Sequence, residues 1–291
     1  MWSADNCFVN SVSLQRPVSR PLAPLFASKA LSSTPAATAS RASERSTFSA
    51  APARSASVRL GSSFAPVAAK PSTPGTPTPT PAPSEDPFQG LRDAALVKAI
   101  HDSSAGKHVV SYSEARKIIF TNLDVHDGKL KDVYTGREIS GGKLPSSSDM
   151  NVEHTWPQSK GATGTAKSDL HHLFPTDSKA NSIRSSYPFG TVAKVQWSSP
   201  NGAKFGLDAQ GRKVFEPPDA HKGNVARAMF YFSSEYSKHI PPEEESVLRE
   251  WNKLDAVDTA EMERNRRIAT IQGNVNQFVE HSELADRISD F

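Results

Sequence analysis

The first 87 residues limit what this chain can fold into. They are rich in Ser, Ala, Pro and Thr, and residues 1–84 contain eight basic but only two acidic side chains. Residues 71–87 include seven prolines, which favour an extended polyproline II spacer. Such a segment cannot bury enough apolar surface to offset its conformational entropy. We therefore predict a disordered tail over 1–87 and a folded domain over 88–291.

The tail leaves the destination of the protein open. A basic, Ser-rich start is typical of an organelle transit peptide, although a clear arginine periodicity is missing. The longest candidate for a secretory apolar core, residues 21–27, is short and interrupted by Pro24. No stretch approaches the roughly 18–20 apolar residues of a membrane helix, so we expect no membrane association. The single cysteine, Cys7, lies in the tail, which excludes a disulfide or a cysteine zinc site within residues 88–291.

The composition and periodicity from Phe88 onward predict a helix-rich α+β domain. Ser111 and Glu114 have the spacing of a capping box that opens a helix reaching Phe120. A pair of short strands and a following helix should lie at the centre of the domain. We predict strands at 133–135, 151–156 and 169–174, the last ended by Pro175, and then a helix capped by Thr176 or Asp177. Further helices are predicted at 91–100, from Asn224, from Pro241, at about 259–271 and at 282–288.

Four side chains in residues 153–184 combine the groups that phosphodiester hydrolysis needs. Glu153 and Asn181 offer the oxygen ligands that Mg²⁺ prefers. His154 is a suitable general base, since an ordinary imidazole has a pKa of about 6.5, and activity should therefore fall below about pH 6. Arg184 is a suitable clamp for phosphate oxygens. We interpret the set as the site of a metal-dependent nuclease.

Strand and helix geometry restricts how these groups can meet. Adjacent strand residues point to opposite sides, so Glu153 and His154 share a site only if the strand ends or bulges there. Asn181 and Arg184 are three positions apart and would share one face of a helix. By the same alternation, only one of His171 and His172 should reach the site, and we expect it to be His171.

The remaining candidates have supporting roles. Asp169 is expected to orient a side chain or a loop beside the site. Lys160 and Lys179 are candidate substrate contacts, and Lys167 could also meet a phosphate, although loop lysines are usually only solvated. Residues 104–227 contain 17 basic and 12 acidic side chains, a mild surplus that suits a nucleic acid.

Several motifs resemble those of the bacterial endonuclease I family, in the right order over about residues 88–291. The matching segments are 153–159, 169–175, 181–184, 186–190, 215–219, 222–228, 263–265 and 272–279. In one motif of that family, Gln-Gly-Asn-Arg-Asn-Pro-Phe, this chain has Val275 and Gln277 in place of Arg and Pro. We expect a local change in loop rigidity and one lost phosphate contact from this difference.

The resemblance implies a ββα-metal (His-Me finger) active site in a secreted or periplasmic, monomeric nuclease with little sequence preference. It implies His154 as general base, Glu153 and Asn181 as Mg²⁺ ligands, with Mn²⁺ or Ca²⁺ as substitutes, and Arg184 near the phosphate. The substrate would be DNA, and in some members RNA, cut to 5′-phosphate and 3′-hydroxyl ends.

Three alternatives remain open. The protein could be a member of that family that prefers RNA. It could be a zinc hydrolase that uses His154, Asp169 and His171, although no His-x-x-x-His pair supports this. It could also be a non-catalytic nucleic-acid-binding module on a disordered tether.

Overall fold

The computed structural model describes residues 86–291. The predictions made for residues 1–85, namely the disordered tail, the polyproline spacer and the transit peptide, lie outside the described residues. No helix within residues 86–291 has the length and apolar character needed to cross a membrane.

Helices and small antiparallel sheets make up the described domain, as an α+β fold requires. The helices are α1 (Asp93–Ser103), α2 (Tyr112–Ile118), α3 (Ser178–Arg184), α4 (Lys222–Tyr236), α5 (Pro242–Leu254), α6 (Thr259–Gln272) and α7 (Gln277–Glu280). The strands are β1 (Val125–His126), β2 (Lys129–Lys131), β3 (Glu138–Ser140), β4 (Met150–His154), β5 (Leu173–Asp177), β6 (Lys194–Ser198), β7 (Lys204–Leu207) and β8 (Lys213–Glu216). They pair in the orders β1-β2-β3, β4-β5 and β6-β7-β8.

Two apolar clusters hold the β4–β5 pair in place. The larger surrounds α4, which is buried along most of its length, and includes Phe230, Phe232 and Trp251. The smaller contains Met150 and Leu173 from the strands themselves, together with the π-helical turn that follows α2. Burying each large apolar side chain contributes about 1.5–3 kcal/mol. Because both clusters use residues in or next to β4 and β5, this strand pair is a rigid support for its polar side chains.

A helix follows β5 without an intervening loop. In the antiparallel pair, Met150 lies opposite Asp177 and His154 lies opposite Leu173. Asp177 ends β5, and its Oδ1 accepts hydrogen bonds from the backbone N–H groups of Lys179 (2.9 Å) and Ala180 (3.0 Å). Of the two caps that the sequence allowed, Asp177 therefore fills the position, and it fixes the start of α3.

Two sequence predictions about local structure are wrong. Residues 133–135 form a turn, because the Asp132 carboxylate accepts the backbone N–H groups of Tyr134, Thr135 and Arg137. A 3₁₀ turn, Leu170–His172, replaces the first half of the predicted strand, so β5 begins only at Leu173.

Pro175 lies inside β5 rather than ending it. Its carbonyl accepts a hydrogen bond from the backbone N–H of Val133 (3.0 Å), on the side away from β4. The missing N–H of the proline points to that same outer edge, and the ladder with β4 is therefore complete.

The remaining helix predictions are confirmed with shifted bounds. Ser111 caps α2 by accepting the backbone N–H of Glu114 (3.2 Å). α4 begins at Lys222, two residues before the predicted Asn224 cap. Residues 282–288 contain a 3₁₀ helix, Ser282–Arg287, instead of an α-helix.

Candidate active site

The end of β4 and the first turns of α3 line one side of an open cleft of about 530 Å³. Glu153, His154 and Asn181 all line it, which confirms that these side chains converge. β4 ends at His154, so strand alternation no longer separates Glu153 from its neighbour. Tyr112 and Gln158 also line the cleft.

His154 is held so that one ring nitrogen remains available as a base. Its Nε2 lies 3.0 Å from the carbonyl oxygen of Lys167. A carbonyl can only accept, so Nε2 carries the proton and Nδ1 has the free lone pair. Nδ1 lies on the side of the side-chain amide of Gln158, at 3.4 Å from Nε2 of that residue. The local fold thereby selects the tautomer that a general base requires.

Burial lowers the pKa of His154 to about 3, with smaller contributions in the same direction from His172 and from the positive charges of Lys167 and Arg184. The ring is therefore neutral above about pH 3 in the free protein. The loss of activity that we expected below pH 6 does not follow from this histidine. A phosphodiester in the cleft adds negative charge next to the ring, which moves the pKa back toward neutrality and strengthens the base.

Glu153 is buried and fixed from behind by two side chains. Its Oε1 lies 2.9 Å from Nε of Arg184 and accepts a hydrogen bond from the Tyr134 hydroxyl (3.0 Å). Its Oε2 has no partner within residues 86–291, and the residue lines the cleft. Burial raises the pKa of Glu153 to about 7, against the opposing effects of the Arg184 guanidinium and the Tyr134 hydroxyl. One carboxylate oxygen is thus held, and the other is available to a cation.

The guanidinium of Arg184 lies in the interior, where the sequence analysis had expected it at the phosphate. The residue is 1% exposed. Besides Glu153, it donates to the backbone carbonyls of Thr155 (2.8 Å) and Ser185 (2.9 Å), and it stacks on the ring of Phe189. Since these contacts occupy the guanidinium, the geometry favours a role in holding Glu153.

Asn181 presents its oxygen to the cleft. Its Nδ2 donates to Oδ1 of Asn151 (2.7 Å) and lies 3.3 Å from the carbonyl oxygen of Val152. Both neighbours are acceptors, so the amide orientation is fixed, and Oδ1 has no partner within residues 86–291. These hydrogen bonds also tie α3 to β4.

The donor set suits a hard divalent cation. Oε2 of Glu153 and Oδ1 of Asn181 are both oxygen ligands without protein partners, and an open cleft admits the water ligands that Mg²⁺ retains. Residues 86–291 contain no group of three or more His, Cys, Asp or Glu side chains that could hold an ion. The zinc site of His154, Asp169 and His171 is therefore not assembled in the described domain.

His172, not His171, packs against His154. The two rings are 5.6 Å apart and edge to face, and Nε2 of His172 bonds to the carbonyl of Ala166 (2.7 Å). His171 instead bonds to the carbonyl of Asn274 (3.1 Å) and does not line the cleft. The expectation for His171 assumed a strand at this point, but the 3₁₀ turn changes which ring faces β4.

Asp169 supports the turn from below. It is fully buried and caps the 3₁₀ turn by accepting the backbone N–H of His171. Its carboxylate also accepts hydrogen bonds from Lys107 (3.0 Å), Tyr231 (2.8 Å) and Tyr236 (2.6 Å). The pKa of this carboxyl is well below its usual range, since the positive and hydroxyl neighbours outweigh the effect of burial, which raises it. Asp169 thus anchors the segment that carries Lys167 and His172.

The two lysines selected as substrate contacts lie outside the lining of the cleft. Lys160 and Lys179 are both exposed. Neither Val275 nor Gln277 lines the cleft, and Gln277 donates to the Ser103 hydroxyl (3.2 Å). Their assignments to phosphate contacts stay predictions.

Sequence reasoning missed Tyr134, Asn151 and Tyr112. Tyr134 and Asn151 orient the two oxygen ligands, and Tyr112 borders the cleft from α2. Asn151 is two positions before Glu153, so strand alternation could have placed it on the same face. Tyr134 and Tyr112 reach the site only through tertiary packing, and no local pattern reveals them.

Comparisons with known proteins agree with this geometry. The family described as Endonuclease I matches residues 94–283. The extracellular ribonuclease of Bacillus subtilis (strain 168) is 32% identical over 227 residues, which cover 69% of this chain and 76% of that protein. The extracellular ribonuclease of Bacillus amyloliquefaciens is 33% identical over 223 residues, covering 68% and 75%.

A shorter similarity links the chain to a deoxyribonuclease. The extracellular deoxyribonuclease of Aeromonas hydrophila is 32% identical over 118 residues, which cover 38% of this chain and 48% of that protein. The family match extends over most of the described domain and includes every residue of the cleft discussed above. The chain is therefore a member of the Endonuclease I family, and it is an endonuclease.

Proposed function

We propose that this protein is a metal-dependent nuclease that hydrolyses phosphodiester bonds of DNA and RNA with little sequence preference. The products would carry 5′-phosphate and 3′-hydroxyl ends. The observation that carries the proposal is the convergence, in one cleft, of a neutral imidazole of fixed tautomer with two partner-free oxygens, on Glu153 and Asn181. The strand–strand–helix arrangement of β4, β5 and α3 supports a ββα-metal type of site.

His154 acts as the general base in this proposal. Its Nδ1 takes a proton from the attacking water, and the Lys167 carbonyl stabilises the resulting imidazolium through the Nε2–H. Burial keeps the ring neutral before the reaction, so no proton has to leave first. His172 restricts the ring from the side.

Glu153 and Asn181 hold the cation, which we propose to be Mg²⁺, with Mn²⁺ or Ca²⁺ as substitutes. When bound, such an ion neutralises charge on the phosphoryl group and stabilises the leaving 3′ oxygen. Arg184 and Tyr134 keep Glu153 in place, and Asn151 orients Asn181. Arg184 is assigned to positioning here because its contacts lie in the interior.

The names of the relatives bear on substrate and location. Those that match most of this chain are called extracellular ribonucleases, and a shorter match is called an extracellular deoxyribonuclease. We propose that both nucleic acids are cut, and the ribonuclease names favour an RNA-preferring enzyme as the second candidate. The same names support a secreted or periplasmic enzyme, with an organelle as the alternative. We propose a monomer, which light scattering of the purified protein tests.

Incubation of the full-length protein with supercoiled DNA and with RNA tests the proposal. Each substrate is combined with Mg²⁺, Mn²⁺, Ca²⁺ or a chelator. We expect cleavage that the chelator stops and that added Mg²⁺ restores, and we expect Glu153→Gln to need far more Mg²⁺. Cleavage that survives chelation contradicts the assigned metal dependence. Binding of nucleic acid without cleavage under every ion supports the non-catalytic alternative.

A further inference from the structure

The buried position of Arg184 leaves one requirement of the proposed reaction without a protein group. Negative charge on the substrate phosphate must be met by donors inside the cleft. The Arg184 guanidinium is occupied by Glu153 and by two backbone carbonyls. Lys160 and Lys179 do not line the cleft. A donor on the wall nearer to His154 is therefore required.

Tyr112 is on that wall. It is the first residue of α2, it is half-buried, and it lines the same cleft as the candidate base. Its ring centroid is 5.3 Å from that of His154. The hydroxyl makes no hydrogen bond within residues 86–291 and is not among the buried unpaired groups there, so solvent reaches it. A hydroxyl donor thus borders the base without a protein partner.

Lys167 places a positive charge next to this hydroxyl-bearing ring. Its ammonium nitrogen is 4.7 Å from the Tyr112 ring centroid. Its backbone carbonyl holds His154, so the whole residue is fixed against the base. Within residues 86–291 the ammonium has no carboxylate within ion-pair distance, in contrast to the buried Lys107, which contacts Asp169 and Glu235. A cation that has no acidic partner and stands beside a free hydroxyl is suited to an anion.

We propose that the Tyr112 hydroxyl and the Lys167 ammonium form a phosphate clamp, which binds non-bridging oxygens of the substrate phosphodiester beside His154. The assignment rests on the proposed nuclease function and names the residues that grip its substrate. Both groups are donors, and they adjoin the base rather than the two cation ligands. The clamp and the cation would therefore meet the phosphate from different sides.

The test separates binding from cleavage. Affinity for a fluorescent single-stranded oligonucleotide is measured in chelator over a range of salt concentrations, for the wild type, Lys167→Met, Lys167→Arg and Tyr112→Phe. Lys98→Met is the matched control, because Lys98 is an exposed lysine on α1 that does not line the cleft. Thermal unfolding confirms that each variant is folded, and kcat/KM on the same oligonucleotide is then measured with Mg²⁺.

Loss of one phosphate contact reduces the slope of log affinity against log salt by about 0.7 for a single strand. We expect this change for Lys167→Met, recovery of the slope in Lys167→Arg, and no change in the control. Tyr112→Phe should keep the slope but lose roughly 10-fold in kcat/KM, the usual size of one hydrogen bond to a charged group. A wild type that cleaves while Lys167→Met keeps both its slope and its kcat/KM overturns the clamp but not the nuclease. A wild type that neither binds nor cleaves overturns both.

Discussion

Replacement of Asp169 by Asn should destabilise the domain more than most single substitutions. The carboxylate is fully buried. Its Oδ2 receives the Lys107 ammonium at 3.0 Å and the hydroxyls of Tyr231 and Tyr236 at 2.8 and 2.6 Å. The substitution keeps the shape of the side chain but removes its charge and turns one acceptor into a donor.

The magnitude follows from what each oxygen accepts. Oδ1 receives the backbone N–H of His171 (3.1 Å) and the side-chain amide of Gln272 (2.9 Å). In either orientation, the NH₂ group of the substituted side chain would therefore face at least two donors. The Lys107 ammonium, which is 14% exposed, would also lose a counter-charge. Breaking a buried ion pair by removing one partner typically costs about 3–5 kcal/mol, and a domain is stable by only about 5–15 kcal/mol in total.

Urea unfolding at pH 7, followed by tryptophan fluorescence and circular dichroism, measures this loss. Asp102→Asn is the matched control, since Asp102 is exposed and pairs with Lys98 on the surface of α1. The control should lose less than about 1 kcal/mol. The double variant Lys107→Met with Asp169→Asn should recover part of the loss, because it removes both charges. A loss below about 1 kcal/mol for Asp169→Asn would refute the view that this carboxylate anchors the turn behind the site.

The other predictions concern the site and the buried histidines. Arg184→Met leaves its carboxylate partner buried without a counter-charge and should cost about 3 kcal/mol in urea unfolding; unchanged stability contradicts the positioning role. Asn151→Ala frees the Asn181 amide and should raise the Mg²⁺ concentration for half-maximal activity by about 10- to 100-fold; an unchanged requirement contradicts the assigned orientation. Burial lowers the pKa of two histidines to about 4 and of a third to about 3. The fold holds them neutral, so their contribution is complete above about pH 6.5 and is lost as the pH falls toward 4, by roughly 1.4 kcal/mol per histidine per pH unit. Urea unfolding at pH 7, 6 and 5 checks this, and equal stabilities contradict it; the three are His171, His172 and His221.

The parts of the site that depend on local chemistry were predictable from the sequence. Asp177 had the position and side chain of a helix cap, and it does start α3. Glu153, His154 and Asn181 were expected to converge because a strand end and a helix start can bring such residues to one place, and all three line the cleft. Strand alternation and capping act over a few residues, so a single sequence contains the information for them.

The parts that depend on packing were not predictable. Arg184 carries a group that commonly binds phosphate, and only the tertiary structure shows that Glu153 occupies it. The choice between His171 and His172 required knowledge of a 3₁₀ turn, because a strand was the simpler interpretation of 169–174. Tyr112 is 42 positions from His154 in the chain, and its place beside that ring is set by the packing of α2.

The most direct measurement of the central claim is the cleavage rate of His154→Ala with and without added imidazole. The variant leaves the cation ligands Glu153 and Asn181 unchanged and removes only the base. We expect a loss of about 10²- to 10⁴-fold in kcat with Mg²⁺, the same Mg²⁺ requirement as the wild type, and partial recovery of the rate when imidazole enters the vacated space. A variant that cleaves plasmid DNA and RNA as fast as the wild type contradicts the assignment of His154 as the general base.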